Sequence, residues 1–408
     1  MHVSTRVSRM KESATLAVAA RAAAMKREGI DVVAFGTGEP DFDTPANIQA
    51  AAVRALEAGM TKYVPTPGTP EARAAVAAKL RAENGIDCAP EHVSITAGAK
   101  HALYLTLQCL VDPGDEVVLP TPAWVSYRPL IELAGGTCVE VPGDVERGFR
   151  ITPAQLDAAI GPRTRAVILN SPSNPCGIAY PPAELRALCE VVAARPGVTV
   201  VSDEIYEKLV YPEVEPGLRA FSPGSMPALA GRTVTLNGMS KAFAMTGWRI
   251  GYACAPADGG AFMREFIKLQ GQMTNNIAAF FMPAIVEALS PASAPQVERM
   301  REAFAARAKL VHALLSEIPR LRGVAPTGAF YAFPSVAGCR GLRSPAGRVI
   351  TDGQTYAEAL LAEAHVAVVP GGEFGACAGD HVRVTFACDE AMLRKGLARI
   401  AEFTASLR

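Results

Sequence analysis

No stretch of this 408-residue chain is apolar and long enough to read as a membrane span. The longest uncharged region, around Gly271 to Val286, is broken by Gln272, Asn275, Asn276 and Pro283, and reads as a buried loop and helix. There is no excess of either charge, with 40 basic residues against 40 acidic, so the net basic face that nucleic acid requires is missing. No charged-then-apolar leader opens the chain: Ser4 to Arg9 is polar and basic. No C-x-x-C pair occurs among the nine scattered cysteines, which fit buried, reduced thiols in a cytoplasmic protein better than a disulfide framework. The six histidines form no ligand cluster, so no metal is expected. Tryptophan is scarce, only Trp124 and Trp248, and there is neither an internal repeat nor a low-complexity tail.

What is present is organised around Leu236 to Gly251. Lys241 lies there on a small-residue turn with Gly238 and Ser240, after the apolar run Thr233 to Leu236. Eight residues later comes Arg249. A deprotonated lysine amine forms a Schiff base with an aldehyde. An arginine fork suits a phosphate. Lysine for an aldehyde and arginine for a phosphate together describe pyridoxal phosphate, although a lone Ser-Lys pair is ordinarily a solvated feature of a surface loop.

The periodicity predicts alternating strands and helices over the first two thirds of the chain. Strands are expected over 92–97, 116–119, 137–141, 166–169 and 198–202. Helices are expected over 12–28, 45–58, 71–83, 102–110, 122–133, 153–160 and 182–194. This α/β alternation predicts a mainly parallel sheet covered by helices, with ligands beyond the carboxyl ends of its strands. Further helices are expected over 262–270 and 278–289. After a long helix over 297–317 the pattern becomes α+β. It has apolar runs over 328–333, 366–369 and 382–386, a helix over 356–364, and a last helix from Glu390. The expected organisation is an N-terminal segment (1–45) packing with the small domain, a large domain (46–289) and a smaller domain (290–408). Residues 338–353, rich in Gly, Arg and Ser, read as a surface insertion.

The candidate site residues fall at the predicted strand ends. Asn174 lies in Ser171-Pro172-Ser173-Asn174-Pro175-Cys176-Gly177, a rigid turn whose amide can donate to a phenolate oxygen or a carboxylate. Asp203 and Tyr206 follow the strand at 198–202. An aspartate there suits either a helix cap or the protonated nitrogen of a pyridine ring. Thr96-Ala97-Gly98-Ala99-Lys100 joins a strand to a helix N-terminus, a place for a phosphate. Trp124 offers a flat face for stacking on a ring. Arg383, inside the apolar alternation His381 to Phe386, needs a partner for its charge.

From Ser13 to about Ala401 the chain resembles the bacterial aspartate aminotransferases of the class I, fold-type I pyridoxal phosphate group. The Lys241 stretch matches the family's lysine-attachment signature at each fixed position, and 36–45, Lys62-Tyr63 and 202–207 add further matches. Ser171 and Cys176 depart from the family's usual Asn and Thr in the Asn174 turn. The resemblance implies pyridoxal 5'-phosphate on Lys241 and ping-pong transamination between an amino acid and a 2-oxo acid. It implies Asp203 at the pyridine nitrogen, Tyr206 and Asn174 at the phenolate oxygen, and Trp124 against the ring. Gly98, Ala99, Lys100, Ser240, Arg249 and Tyr63 of the partner subunit would hold the phosphate. Arg383, Asn174, Trp124 and the Gly38 backbone would bind the substrate, Arg383 clamping its α-carboxylate, in a homodimer with shared active sites. Aspartate with 2-oxoglutarate is the favoured pair, with Ser13 near the distal carboxylate. Aromatic amino acids, alanine and prephenate stay open, as does a pyridoxal phosphate C–S lyase. A pyridoxal phosphate-binding regulator would carry a basic DNA-binding module ahead of this domain.

Overall fold

The computed structural model describes residues 1–8, 10 and 14–408. Its centre is a seven-stranded sheet. The spatial order is Val93–Thr96, Gly251–Cys254, Thr233–Gly238, Thr199–Asp203, Thr164–Asn170, Glu116–Thr121, Thr137–Pro142. Only Gly251–Cys254 runs against its neighbours; the other pairings are parallel. Alternation along the strands sends apolar side chains to both faces. Val117, Ile168 and Val201 pack with helix Ala99–Leu110, whereas Val118, Val167 and Val200 pack with helix Pro182–Ala193. The inner strands are therefore apolar throughout, and their polar residues collect where the strands end.

A second core forms around three helices, Ala294–Ser316, Gly353–Ala364 and Glu390–Ser406, and the small sheet Val369–Pro370, Val382–Thr385, Tyr331–Ala332. Tyr206, Leu209 and Tyr211, which follow the central strand of the large sheet, bury their side chains in this second core. Near the start of the chain, Val33–Ala34 pairs in parallel with Val366–Ala367, and Phe35 inserts into the same core. Chemistry-bearing segments from distant parts of the chain are thus held where the two cores meet.

Several elements differ from the sequence expectation. The helix expected over 122–133 is Tyr127–Leu133, and Trp124 lies on the turn before it. Pro122 has no N–H, and Ala123 N donates to Phe374 O at 2.7 Å, so this backbone is committed elsewhere. The apolar run 328–333 yields only the strand Tyr331–Ala332. Gly328 N donates to Gly177 O and Ala329 N to Leu209 O, so these donors tie the run to loops of the large sheet. The first long helix is Ala14–Arg27; Glu12 and Ser13 lie outside the described residues. The stretch 338–353 is exposed in its middle but anchored. Cys339 and Ile350 are buried, and Arg343 and Arg408 exchange backbone hydrogen bonds.

One glycine fixes the seam between the cores. Gly177 has φ 69°, and a Cβ built there would lie 1.9 Å from the Tyr331 carbonyl oxygen. Its own carbonyl accepts from Thr327 N and Gly328 N. Gly177→Ala should lower unfolding stability by about 3 kcal/mol or more, from overpacking plus left-handed strain. The midpoint of denaturant unfolding measures this.

Candidate active site

The carboxyl ends of the parallel strands and the turn before Gly251 open onto a cavity of about 280 Å³. Gly38, Ala99, Lys100, Trp124, Asn174, Asp203, Tyr206, Ser240, Lys241, Arg249 and Arg383 all line it. Gly98 lies one residue outside, against Arg249. Tyr63 is not in the cavity: its side chain is 87% exposed on this chain.

Lys241 extends from the turn after strand Thr233–Gly238, and its Nζ donates to Gly38 O at 2.5 Å. Burial pushes its pKa from 10.5 down to about 8. Arg249 and Arg383 push the same way, while Glu39 and Asp203 oppose them. The amine is therefore far closer to its neutral, nucleophilic form near neutral pH than a solvated lysine.

Asp203 is the last residue of the central strand and is buried. Its Oδ2 accepts from Tyr127 Oη at 2.7 Å and its Oδ1 from Ile205 N at 3.2 Å. Burial raises its pKa, and the two hydrogen bonds oppose that. Asn170 braces the same corner: its amide donates to Asp203 O, and its Oδ1 accepts from Asn174 N. The Tyr206 hydroxyl is 2.9 Å from that of Tyr331. Tyr331 in turn lies against the Gly38 backbone, where a Cβ would come within 2.7 Å of its hydroxyl.

Arg383 is 2% exposed and is the largest fully buried side chain among the described residues. It donates to Asn174 Oδ1 at 2.9 Å and Gly36 O at 2.7 Å, and its Nε has no partner. The rings of Tyr331 and Phe374 flank the guanidinium at 4.7 and 5.3 Å. No carboxylate pairs with it among the described residues. A buried cation held only by neutral oxygens is poised for an anion.

A second positive region lies at the start of helix Ala99–Leu110. Gly98 caps this helix at φ 88° with no side-chain bond, so its first N–H groups have no side-chain acceptor. Arg249, itself at φ 56°, packs over this cap; a Cβ on Gly98 would approach its Nη2 to 2.5 Å. Lys100 Nζ lies 4.9 Å from the centre of the Trp124 ring. Burial and then Arg249 lower the Lys100 pKa. Trp124 packs edge-on to Tyr127 at 5.4 Å. Trp248, by contrast, is half-buried and packs with Phe281 against a hydrophobic core.

A family model for class I and II aminotransferases matches residues 30–400. The chain belongs to the class I and II aminotransferases. An aspartate/prephenate aminotransferase of Cereibacter sphaeroides is 45% identical, covering 99% of both chains. An aspartate aminotransferase of Geobacillus stearothermophilus is 43% identical, again with 99% of both covered. Among solved structures, the aspartate aminotransferase of Rhizobium meliloti superposes with a TM-score of 0.94 at 41% identity, covering 100% of both chains. That of Thermus thermophilus, solved with maleate, superposes at 0.90 with 43% identity, covering 99% of this chain and 100% of that one.

This aminotransferase uses pyridoxal phosphate, and transamination between an amino acid and a 2-oxo acid is its reaction. The cavity fits that cofactor. It has cations and helix N–H groups without a side-chain cap, a buried carboxyl at Asp203, and a buried amine of lowered pKa at Lys241. Sequence reasoning missed Tyr127, Asn170, Tyr331 and Phe374, because each acts on a site residue from another segment and none stands in a motif. In the apoprotein, the rate of cofactor capture by Lys241 should climb with pH and level off above about 8. Only the neutral amine attacks the aldehyde. A midpoint near 10.5, followed by rapid-mixing absorbance, would show that burial does not reach the amine.

Proposed function

We propose that this enzyme transfers the amino group of aspartate to 2-oxoglutarate, with prephenate as a further acceptor class. The observation that carries the substrate reading is Arg383, buried, charged and bonded only to neutral oxygens. It binds the α-carboxylate of the amino acid, with Asn174 and the Gly38 backbone completing the contact. The names of the relatives, aspartate and aspartate/prephenate aminotransferases, support the choice of acids. When bound, pyridoxal phosphate supplies an aldehyde for the amine and a ring that accepts electrons.

The residues around it then have separate tasks. The Asp203 carboxyl would lie against the pyridine nitrogen and keep a proton on it. Tyr206 and Asn174 donate toward the phenolate oxygen. Trp124 covers one ring face. Gly98, Ala99, Lys100, Ser240 and Arg249 hold the phosphate. Lys241 Nζ would take the proton from the substrate Cα and, once protonated, act as the acid that delivers it to C4′ of the cofactor. Its lowered pKa suits both halves of that exchange near neutral pH.

We read the enzyme as a cytoplasmic homodimer. Its nine cysteines are free, most of them buried, which suits a reducing compartment. The exposed Tyr63 reaches the partner's phosphate site. We also read 46–289 as the large domain, and 290–408 with the segment 1–45 as the smaller body.

Arg383→Lys keeps the charge but loses the two-pronged fork. Substrate KM should rise by about one to two orders of magnitude, from the loss of a charge-assisted hydrogen bond, with cofactor affinity unchanged. Equal loss of cofactor would assign Arg383 a structural role. Steady-state assays of several amino donors against several oxo acids test the substrate pair, and ammonia released without an oxo acid would point to a lyase instead.

The shared site is tested with mixed dimers of a Lys241→Ala chain and a Tyr63→Phe chain. If Tyr63 acts across the interface, the site that keeps Lys241 is fully wild type and binds cofactor tightly. If Tyr63 acts within its own chain, that site is weakened by about 1.5–3 kcal/mol. Cofactor titration of purified mixed dimers separates the two.

A further inference from the structure

Tyr331 is fully buried in the cavity wall, and the roles proposed above leave it without one. We propose that Tyr331 is a positioning residue, whose hydroxyl donates to Tyr206 and so keeps the Tyr206 proton pointed at the acceptor in the cavity. That acceptor is the phenolate oxygen of the cofactor, so the inference rests on the reading of Tyr206 given above.

Each phenol owns one proton. With the two oxygens 2.9 Å apart, one hydroxyl donates to the other and a single O–H is left free. The surroundings decide which. The Arg383 guanidinium lies 4.7 Å from the Tyr331 ring centre, on the neighbouring strand of the small sheet, and favours Tyr331 as the donor. Tyr206 lies close to the Asp203 carboxylate, which disfavours partial loss of its proton. Among the described residues, the other ionisable groups lining the cavity are Lys241, Lys100, Arg249 and Tyr127; Glu39 and Arg249 act on Lys241, and Tyr127 faces Tyr206 while its hydroxyl is committed to Asp203. Burial raises both phenols and Arg383 opposes this at each, but Asp203 adds to it at Tyr206 alone. Proton order therefore runs from Tyr331 to Tyr206 to the cavity. A hydroxyl that accepts one hydrogen bond is a better donor in the next.

The arrangement also links the two ends of the substrate. A carboxylate bound at Arg383 cancels the charge that biases Tyr331, so carboxylate binding weakens donation by Tyr206. Occupancy at Arg383 is thereby transmitted to the phenolate oxygen through two phenols.

The test follows the pH midpoint of cofactor absorbance in the holoenzyme without substrate. Donation to an oxyanion favours the deprotonated chromophore, so loss of the donor raises the midpoint. Tyr206→Phe should raise it by about 1–2 pH units. Tyr331→Phe should raise it by roughly a tenth to a third of that, and should add nothing in a Tyr206→Phe background, because it acts only through Tyr206. Placing 3-fluorotyrosine at 331, a better donor of nearly the same size, should move the midpoint down, which keeps the inference testable if Tyr331→Phe unfolds. An unchanged midpoint in Tyr331→Phe, or an equal shift in both backgrounds, overturns the inference alone. A wild-type protein that forms no lysine-linked chromophore overturns the Lys241 assignment as well.

Discussion

A guanidinium held away from water without an anion is the constraint around which this site is assembled. Arg383 is among the most completely buried side chains, yet its hydrogen bonds go to an amide oxygen and a peptide carbonyl. Removing such a charge from water is unfavourable by several kcal/mol unless neighbours compensate. Here compensation comes from three distant parts of the chain: Gly36 near its start, Asn174 in the turn after a central strand, and the rings of Tyr331 and Phe374. Each of these must be in place for the arginine to stay. The arginine in turn ties the loops of the large sheet to the small one.

The segment from Asp203 to Glu207 carries the same logic to the reverse side. Asp203 and Tyr206 face the cavity, while Glu204 and Glu207 face away into a buried polar network. Lys79 bonds Glu207, and the Asn84 amide donates to Glu204 and Glu207 at 2.8 and 2.6 Å. Ser202 and Ser222 donate to Glu204 at 2.8 and 2.6 Å. Burial, then the nearby Glu207, pushes the Glu204 pKa up to about 7. The two faces of five residues thus do different work. One presents groups to the cavity, and the other locks the backbone that carries them.

The sheet was legible because its strands are short apolar runs at regular spacing, and because Asn174, Asp203 and Lys241 each follow one of them. The Lys241 turn and Arg383 were legible as single residues out of keeping with their surroundings. The start of the helix after Trp124 was not, because Ala123 is held by a carbonyl 251 residues later in the chain. Tyr127 and Tyr331 were hidden for a similar reason. A phenol in an apolar run looks like core, and only the fold reveals that its hydroxyl meets Asp203 or Tyr206. Local pattern announces the groups that line the cavity at strand ends and is silent about the groups that hydrogen-bond to them from elsewhere in the chain.

The network behind Asp203 also bears on how such enzymes are recombined. Lys79 and Asn84 belong to one helix, Pro70–Asn84, and Glu204 and Glu207 follow a strand more than a hundred residues later. A chimera that takes residues 70–84 from one parent and 204–207 from another separates a buried cation from its anions, even though every residue lining the cavity is retained. Crossover points that keep these two segments together preserve the inheritance of the site, whereas matching the cavity-lining residues alone does not.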